Sequence, residues 1–494
     1  MIVDDDAPDD DTFDPATAAL PPVSRVPRVV RVQGPVVRGA SAASTSAIAL
    51  PLPGSKYLTL RYLLNAFLAA GESRVLAPAL SDDTAVLVVA LRALGADVRW
   101  EHAPDAVTGE RVWSLRVRGV GGRLHTPVAP LGMGNAGAVL RLLLGIGALL
   151  PAVRFETDHP DSLGRRPNAD LLDALRQLGI ATEAREPDGL LPIALRGGPP
   201  RGGAVRVSGA RSSQYLSALL YLGPLLMRGL EITVTDELRS SPLVRATLAA
   251  LAAAGIAVTS SPDLRHLTVP GGQTFATRDY AVPGDGPTAA ALAAAALALG
   301  VPLRLGPLTT GAADIRALLA ALSALGAEIA HVPDAPGAIV ISPLRSVGEE
   351  AASAGDTRIT TIDGDACIDS VPALVAAACC VRGETRFERV ETLRFKESDR
   401  IGDLCAELAR AGADITPGAD TIVVRGRPDG LAGGVTVAGH DDHRLVQALA
   451  IAALRSADAL TITGADAVAK SYPGYFDALG RLGARVRAVE GPAR

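Results

Sequence analysis

Leu94-Gly95-Ala96-Asp97-Val98 is the first of six short stretches that repeat along the chain. In each, an apolar helical pattern ends in Leu or Ala, Gly follows, then Ala or Ile, and then a β-type residue. The others are Leu178-Gly179-Ile180-Ala181-Thr182, Ala254-Gly255-Ile256-Ala257-Val258, Leu325-Gly326-Ala327-Glu328-Ile329, Ala411-Gly412-Ala413-Asp414-Ile415 and Leu482-Gly483-Ala484-Arg485-Val486. A glycine just past a helix takes the left-handed conformation without steric cost, and the chain turns at once into a strand. The copies recur every roughly 70 to 86 residues, too long for a solenoid repeat and suited to a small α/β unit. Six units predict an α/β protein of two domains with three units each; a single solenoid-like array is the alternative. Asp285-Gly286-Pro287-Thr288, after a strand-like run at 280–283, starts the fourth unit and marks the expected hinge.

The composition agrees with many small units. Of 494 residues, 48% are hydrophobic but only 3% aromatic, so the cores must be built from Ala, Leu and Val. Residues 1–27 are acidic, then rich in Pro, Ala and Ser, and are expected to form a disordered acidic tail. Seven Asp among the first fourteen residues are the opposite of a signal or transit peptide, which predicts a cytoplasmic protein. A net charge of −5 gives no support for a nucleic-acid partner. No apolar run combines the length and lack of charge of a membrane span. Cys367, Cys379, Cys380 and Cys405 show no metal-ligand spacing; Cys379-Cys380 reads as helix core with reduced thiols.

Of 48 Lys plus Arg, only Lys56, Lys396 and Lys470 are Lys. A lysine kept in so arginine-biased a chain suggests a place where a wide, planar guanidinium cannot substitute for a compact charge. Each falls at an element junction beside a helix start. Lys56 and Arg61 lie in Leu52-Pro53-Gly54-Ser55-Lys56-Tyr57-Leu58-Thr59-Leu60-Arg61, between a strand-like run at 47–52 and a helical pattern at 58–70. Lys396 lies in Phe395-Lys396-Glu397-Ser398-Asp399-Arg400, before a helical 401–411, and Lys470 in Ala469-Lys470-Ser471-Tyr472-Pro473, before the last helix. Asp441-Asp442-His443-Arg444 likewise precedes a helical 445–454, and Arg165-Arg166-Pro167 and Ser212-Ser213-Gln214 precede others. Gly132-Met133-Gly134-Asn135-Ala136-Gly137-Ala138 could bring backbone N–H groups close to a phosphate, with Arg141 one turn into the helix behind it. Cations placed where the helix dipole opposes them suggest bound anions. The pattern suits a cleft between two domains that closes on multiply charged ligands.

The ordered set LPGSK…R, GNAG…R, RP, SSQ, GD, KESDR, DDHR and AKSYP, over about residues 47–480, resembles the 5-enolpyruvylshikimate-3-phosphate synthase family. The resemblance implies a two-lobed inside-out α/β barrel of six βαβαββ repeats, three per lobe, with a hinge between the lobes. The lower lobe would be 28–53 plus 283–494, mainly the phosphoenolpyruvate side with the catalytic acid and base. The upper lobe would be 54–282, mainly the shikimate 3-phosphate side. Lys56 would touch both substrates. Arg61, helped by Tyr57, would hold the shikimate carboxylate, and Ser212, Ser213 and Ser240 the 3-phosphate. Gln214 would lie between the ligands. Asn135, Gly137, Arg141, Arg166, Arg400, Arg444 and Lys470 would bind phosphoenolpyruvate. Asp369 and Lys396 would meet the attacking 5-hydroxyl, with Thr392 near it, and Glu397 would stand near the phosphoenolpyruvate methylene. The implied partners are these two small molecules, with no metal, no organic cofactor and a monomeric enzyme.

The chain departs from the family at Tyr57, Leu60, Ala138, Ser241, Leu243 and Thr392, where other residue types are usual. These changes lie mostly on the shikimate side, so enolpyruvyl transfer is a firmer expectation than the acceptor. Three alternatives stay open. They are a paralogue acting on another shikimate-like alcohol, the sister family that acts on a UDP-amino sugar, and a catalytically inactive anion-binding protein. The region matching the sister family's cysteine loop, 159–167, contains no Cys.

Overall fold

The structure is a computed structural model that describes residues 13–23, 25–35, 46–104, 111–343 and 359–489. It divides into two compact units, one of Met1–Val23 with Gly54–Val282, the other of Ser24–Pro53 with Pro283–Arg494.

Six four-stranded sheets lie among the described residues, three in each unit, and all share one topology. A parallel pair occupies one edge and two antiparallel strands complete the sheet. In the first unit, for example, Gly203–Val207 runs parallel to Leu230–Val234, which pairs antiparallel with His266–Val269 and that with Thr259–Ser260. The six repeat glycines have φ of 107° (Gly95), 89° (Gly179), 79° (Gly255), 96° (Gly326), 102° (Gly412) and 104° (Gly483), the left-handed region each stretch requires.

Twelve α-helices lie among the described residues. The first unit holds α1 (Lys56–Leu68), α2 (Asp82–Ala93), α3 (Gly137–Gly147), α4 (Ala169–Gln177), α5 (Ser213–Leu222) and α6 (Ser241–Ala253). The second holds α7 (Gly286–Leu299), α8 (Ala313–Ala324), α9 (Val371–Ala378), α10 (Gly402–Arg410), α11 (His443–Ala453) and α12 (Tyr475–Arg481). One helix per repeat is buried almost all round: every residue of α9 and α11, and all of α5 except Gln214. Their Ala, Leu and Val side chains form the core of each unit, while strands such as Leu230–Val234 alternate between buried and more exposed positions, one face inward. Helices inside and sheets outside make this the inside-out α/β arrangement.

Local chemistry sets the element edges. Helix α1 starts at Lys56 rather than 58, because the Ser55 hydroxyl accepts from Leu58 N and caps the first turn. The strand expected over 47–52 pairs only at Ile48–Ala49, against Leu303 and Arg304. Cys379 is buried and Cys380 only partly so, and none of the four cysteines is in a disulfide. Burial pushes the Cys367 and Cys405 thiols up to about 12, which leaves them unreactive. No described helix is long and apolar enough to cross a membrane, and no group of three or more metal-ligating side chains is found among the described residues.

The expectation that 1–27 is a structureless tail needs correction. Residues 1–12 lie outside the described residues, but those after them are placed against the protein. Phe13 meets the edge of the Trp113 ring, with centroids 5.5 Å apart. Trp100 donates its backbone N–H to Pro15 O and its indole N–H to Ala19 O, and Arg92 donates to the carbonyls of Thr17 and Ala18. Asp97–Pro104 is an edge strand of its sheet, so this strap covers an edge that is otherwise open. Composition points to disorder here because the apolar partners and the arginine lie far along the chain. Val26 packs against the core of the second unit. Deleting residues 1–20 is expected to cost about 1–3 kcal/mol, the scale of one or two apolar side chains returned to water. It should also red-shift the tryptophan emission while turnover is retained. Since Trp100 and Trp113 are the only tryptophans, an unshifted spectrum would show that the strap does not cover them.

Candidate active site

In the first unit two hydrogen-bonded groups gather the polar residues. Arg61 donates through Nε to Thr247 Oγ1 (2.9 Å), through Nη1 to Tyr57 O (3.0 Å) and through Nη2 to Leu243 O (3.2 Å). Thr247 Oγ1 lies 2.9 Å from Ser217 Oγ, which reaches Ser213 O, so α1, α5 and α6 are tied together around the guanidinium. Ser240, at the start of α6, is buried and sits in the left-handed region at φ 54°. Because Leu243 holds Arg61 through its backbone carbonyl, the contact does not depend on which side chain stands there.

The second group centres on Arg141. Its Nη1 donates to Gln214 Oε1 (2.8 Å), Nη2 to Pro167 O (3.3 Å) and Nε to Asn168 Oδ1 (3.3 Å), and the guanidinium lies over the Tyr215 ring. Gln214 is thereby fixed with its NH2 group as the remaining donor. Asn168 donates to Arg166 O, and a Cβ built on Gly137 would lie 2.5 Å from Arg166 Nη1. Glycine at 137 lets the guanidinium approach the start of α3, where no side chain caps the helix. The Ser212 hydroxyl accepts from Gln214 N and so caps α5.

In the second unit the polar residues converge on one arginine. Arg400 is 1% exposed and donates to three carboxylates: Nη1 to Asp369 Oδ1 (2.8 Å), Nη2 to Glu397 Oε2 (2.7 Å), and Nε and Nη2 to Asp442 (2.7 and 3.1 Å). Burial works against this charge, but Asp442, Glu397 and Asp369 outweigh it and hold the guanidinium more basic than an ordinary arginine. Two of the carboxylates also carry a lysine, Lys396 Nζ 3.3 Å from Asp369 Oδ1 and Lys470 Nζ 2.9 Å from Glu397 Oε1. Arg444 donates to Gln447 Oε1 (3.0 Å) and lies 3.7 Å from Asp285, the residue that caps α7. Thr392 is buried nearby in sequence, with no hydrogen bond to its Oγ1 among the described residues.

None of the three lysines is a solvated surface residue. Lys56 also pairs with a carboxylate, Asp83, at 3.2 Å. The bare run of cations that the sequence suggests is therefore, within the second unit, an alternating network of cations and carboxylates. An anion bound there would have to draw cations from carboxylates already in place. Sequence reading missed Asp83, Asp285, Asp442 and His443, whose Nδ1 lies 3.7 Å from Asp442 Oδ1. The DDHR stretch was the available signal for the last two.

Comparison with known proteins agrees with this arrangement. The sequence model of EPSP synthase (3-phosphoshikimate 1-carboxyvinyltransferase) matches residues 44–479. A 3-phosphoshikimate 1-carboxyvinyltransferase of Deinococcus radiodurans is 43% identical over 442 residues, covering 89% of this chain and 94% of the relative. One from Burkholderia pseudomallei is 33% identical, covering 90% and 93%. The solved EPSP synthase of Acinetobacter baumannii superposes with a TM-score of 0.69 at 25% identity, over 93% of this chain and 99% of that one. The enolpyruvyl transferase NikO of Streptomyces tendae, at 19% identity and the same TM-score of 0.69, shares the fold over 95% of this chain and all of that one, 100%. With its six repeats, its ordered motifs and a family match across most of its length, the chain belongs to the EPSP synthase family, the 3-phosphoshikimate 1-carboxyvinyltransferases.

Proposed function

We propose that the chain transfers the enolpyruvyl group of phosphoenolpyruvate to the 5-hydroxyl of shikimate 3-phosphate and releases phosphate. The observation that carries this is the position of Asp369 and Glu397 on the two ends of one guanidinium, each also beside a lysine. The reaction needs such a pair. C2 of phosphoenolpyruvate becomes electrophilic when C3 is protonated, while the acceptor hydroxyl must lose its proton. Addition gives a tetrahedral intermediate, and reversed proton transfers expel phosphate. One carboxylate per proton, held at fixed separation, performs both steps, and each such group contributes about 10²–10⁴-fold.

In this reading Glu397 exchanges the methylene proton, and Asp369 with Lys396 takes the hydroxyl proton. Arg400, Arg444, Lys470, Arg166, Arg141, Asn135, the backbone at Gly137 and Gln214 serve phosphoenolpyruvate. Lys56 meets both ligands. Arg61 and Tyr57 meet the shikimate carboxylate. Ser212, Ser213 and Ser240 bind the phosphate, and Thr392 lies near the acceptor. The departures at Tyr57, Leu243 and Thr392 support a second reading, transfer to another shikimate-like alcohol. Phosphate release decides between them. Turnover with shikimate 3-phosphate is expected, with a raised KM because the changed residues contact the ground state. Folded protein that binds phosphoenolpyruvate yet releases no phosphate at saturating shikimate 3-phosphate would move the assignment to the other alcohol.

A further inference from the structure

Lys56 occupies an unfavourable place for a cation. It is 8% exposed and is the first residue of α1, whose N-terminus carries the positive end of the helix dipole. Burial and dipole both oppose its charge. Asp83 offsets them: its Oδ2 lies 3.2 Å from Lys56 Nζ, and Asp83 is itself 2% exposed. Asp83 stands in the first turn of α2, behind the Ser81 cap, where the same dipole effect favours a carboxylate. The N-terminus of one helix thus stabilises the anion that stabilises the cation on the N-terminus of the other.

The two helix starts are locked together by a side-chain hydrogen bond and a close backbone approach. Thr59 Oγ1 accepts from Ala79 N at 2.9 Å. A Cβ on Gly54 would lie 2.1 Å from Ala77 O, so only glycine permits that approach, and Ala77 itself sits at φ 50°. The loop before α2 is thereby pressed onto the loop before α1. The other carboxylate oxygen, Asp83 Oδ1, is buried with no hydrogen-bond partner among the described residues, so the charge of Asp83 is directed at the lysine.

We propose that Asp83 is the positioning residue for Lys56, fixing the ammonium group where it meets the substrates. The proposal rests on the reading of Lys56 as a substrate contact. The test is a double-mutant cycle on the full chain with Asp83→Asn, Lys56→Met and the pair, reading the Kd of shikimate 3-phosphate by calorimetry and kcat/KM for phosphate release. Asp83→Asn alone is expected to weaken both by about tenfold or more, the size of coupling between groups in contact. In the Lys56→Met background it should change neither by more than about twofold, because an Asp that acts through Lys56 has nothing left to position. A merely structural role would give the same loss in both backgrounds, and that additivity overturns the proposal, as does an unaffected Asp83→Asn. If Asp83→Asn does not fold, the double variant decides by comparison with Lys56→Met. Removing both charges of a buried pair is tolerated far better than removing one. Equal constants then support the proposal and a further tenfold loss overturns it. Wild-type protein that neither binds shikimate 3-phosphate nor releases phosphate is the separate failure of the functional reading.

Discussion

Glu397→Gln is expected to lower turnover by about 10²–10⁴-fold, the range of a lost general acid or base. The amide keeps nearly the same shape but removes a charge as well as the acid, so the proton is followed separately by isotope exchange. The Glu397 carboxylate is shared between Arg400 Nη2 and Lys470 Nζ, at 2.7 and 2.9 Å. On the proposed reading, a phosphate or carboxylate that engaged those two cations would release Glu397 as substrate arrives and so couple proton exchange to binding. The amide can neither deliver a proton to the methylene carbon as an acid nor take one back as a base. In heavy water, deuterium uptake at the phosphoenolpyruvate methylene should therefore fall along with turnover. Deuterium exchange at the wild-type rate in Glu397→Gln would falsify the assignment, whatever happened to phosphate release.

Asp442→Ala is expected to cost about 3–5 kcal/mol of stability, the range for breaking one side of a buried ion pair. Asp442 is 0% exposed and meets Arg400 through both carboxylate oxygens. It also accepts from Arg444 N at 2.8 Å and so caps α11. Alanine leaves Arg400 buried with two carboxylates in place of three and removes the cap. Asp442→Asn keeps a capping oxygen and should recover about 1 kcal/mol of the loss, the usual worth of a cap. Urea unfolding followed by circular dichroism measures both. A loss under about 1 kcal/mol for the alanine variant would mean that Arg400 does not depend on Asp442.

The glycines that end the helices were legible because their requirement is local: a reversal directly after a helix needs a residue that tolerates positive φ, and all six supply it. Lys56 was legible for a related reason, since charge at a helix start conflicts with the dipole; Lys396 and Lys470, expected at helix starts as well, instead follow or end the short 3-10 turns Glu391–Phe395 and Ala465–Lys470. The carboxylate partners of the site's cations were not legible. Asp442 is 42 positions from Arg400, and no local rule says whether Asp441 or Asp442 turns inward. The backbone decides it: His440 and Asp441 both adopt the left-handed region, at φ 50° and 51°, leaving Asp441 exposed and Asp442 buried. Nor does a compositional reading find the strap from Phe13, whose partners Arg92, Trp100 and Trp113 declare themselves only once the strands have paired.

The strand Val29–Gln33 lies between Leu460–Thr463 and Arg485–Ala488, antiparallel to both. During synthesis it therefore leaves the ribosome long before either neighbour exists. At about 5–20 residues per second the delay is on the order of half a minute. Gly54–Val282 is continuous and finds its last strand, Tyr280–Ala281, at its own end, so it can finish folding while the remainder is still being made. The second unit cannot. Its first strand waits with both edges unpaired, which is the state most open to wrong pairing with another chain. The short strand Arg485–Ala488, made after the other strands of its sheet, ends that exposure.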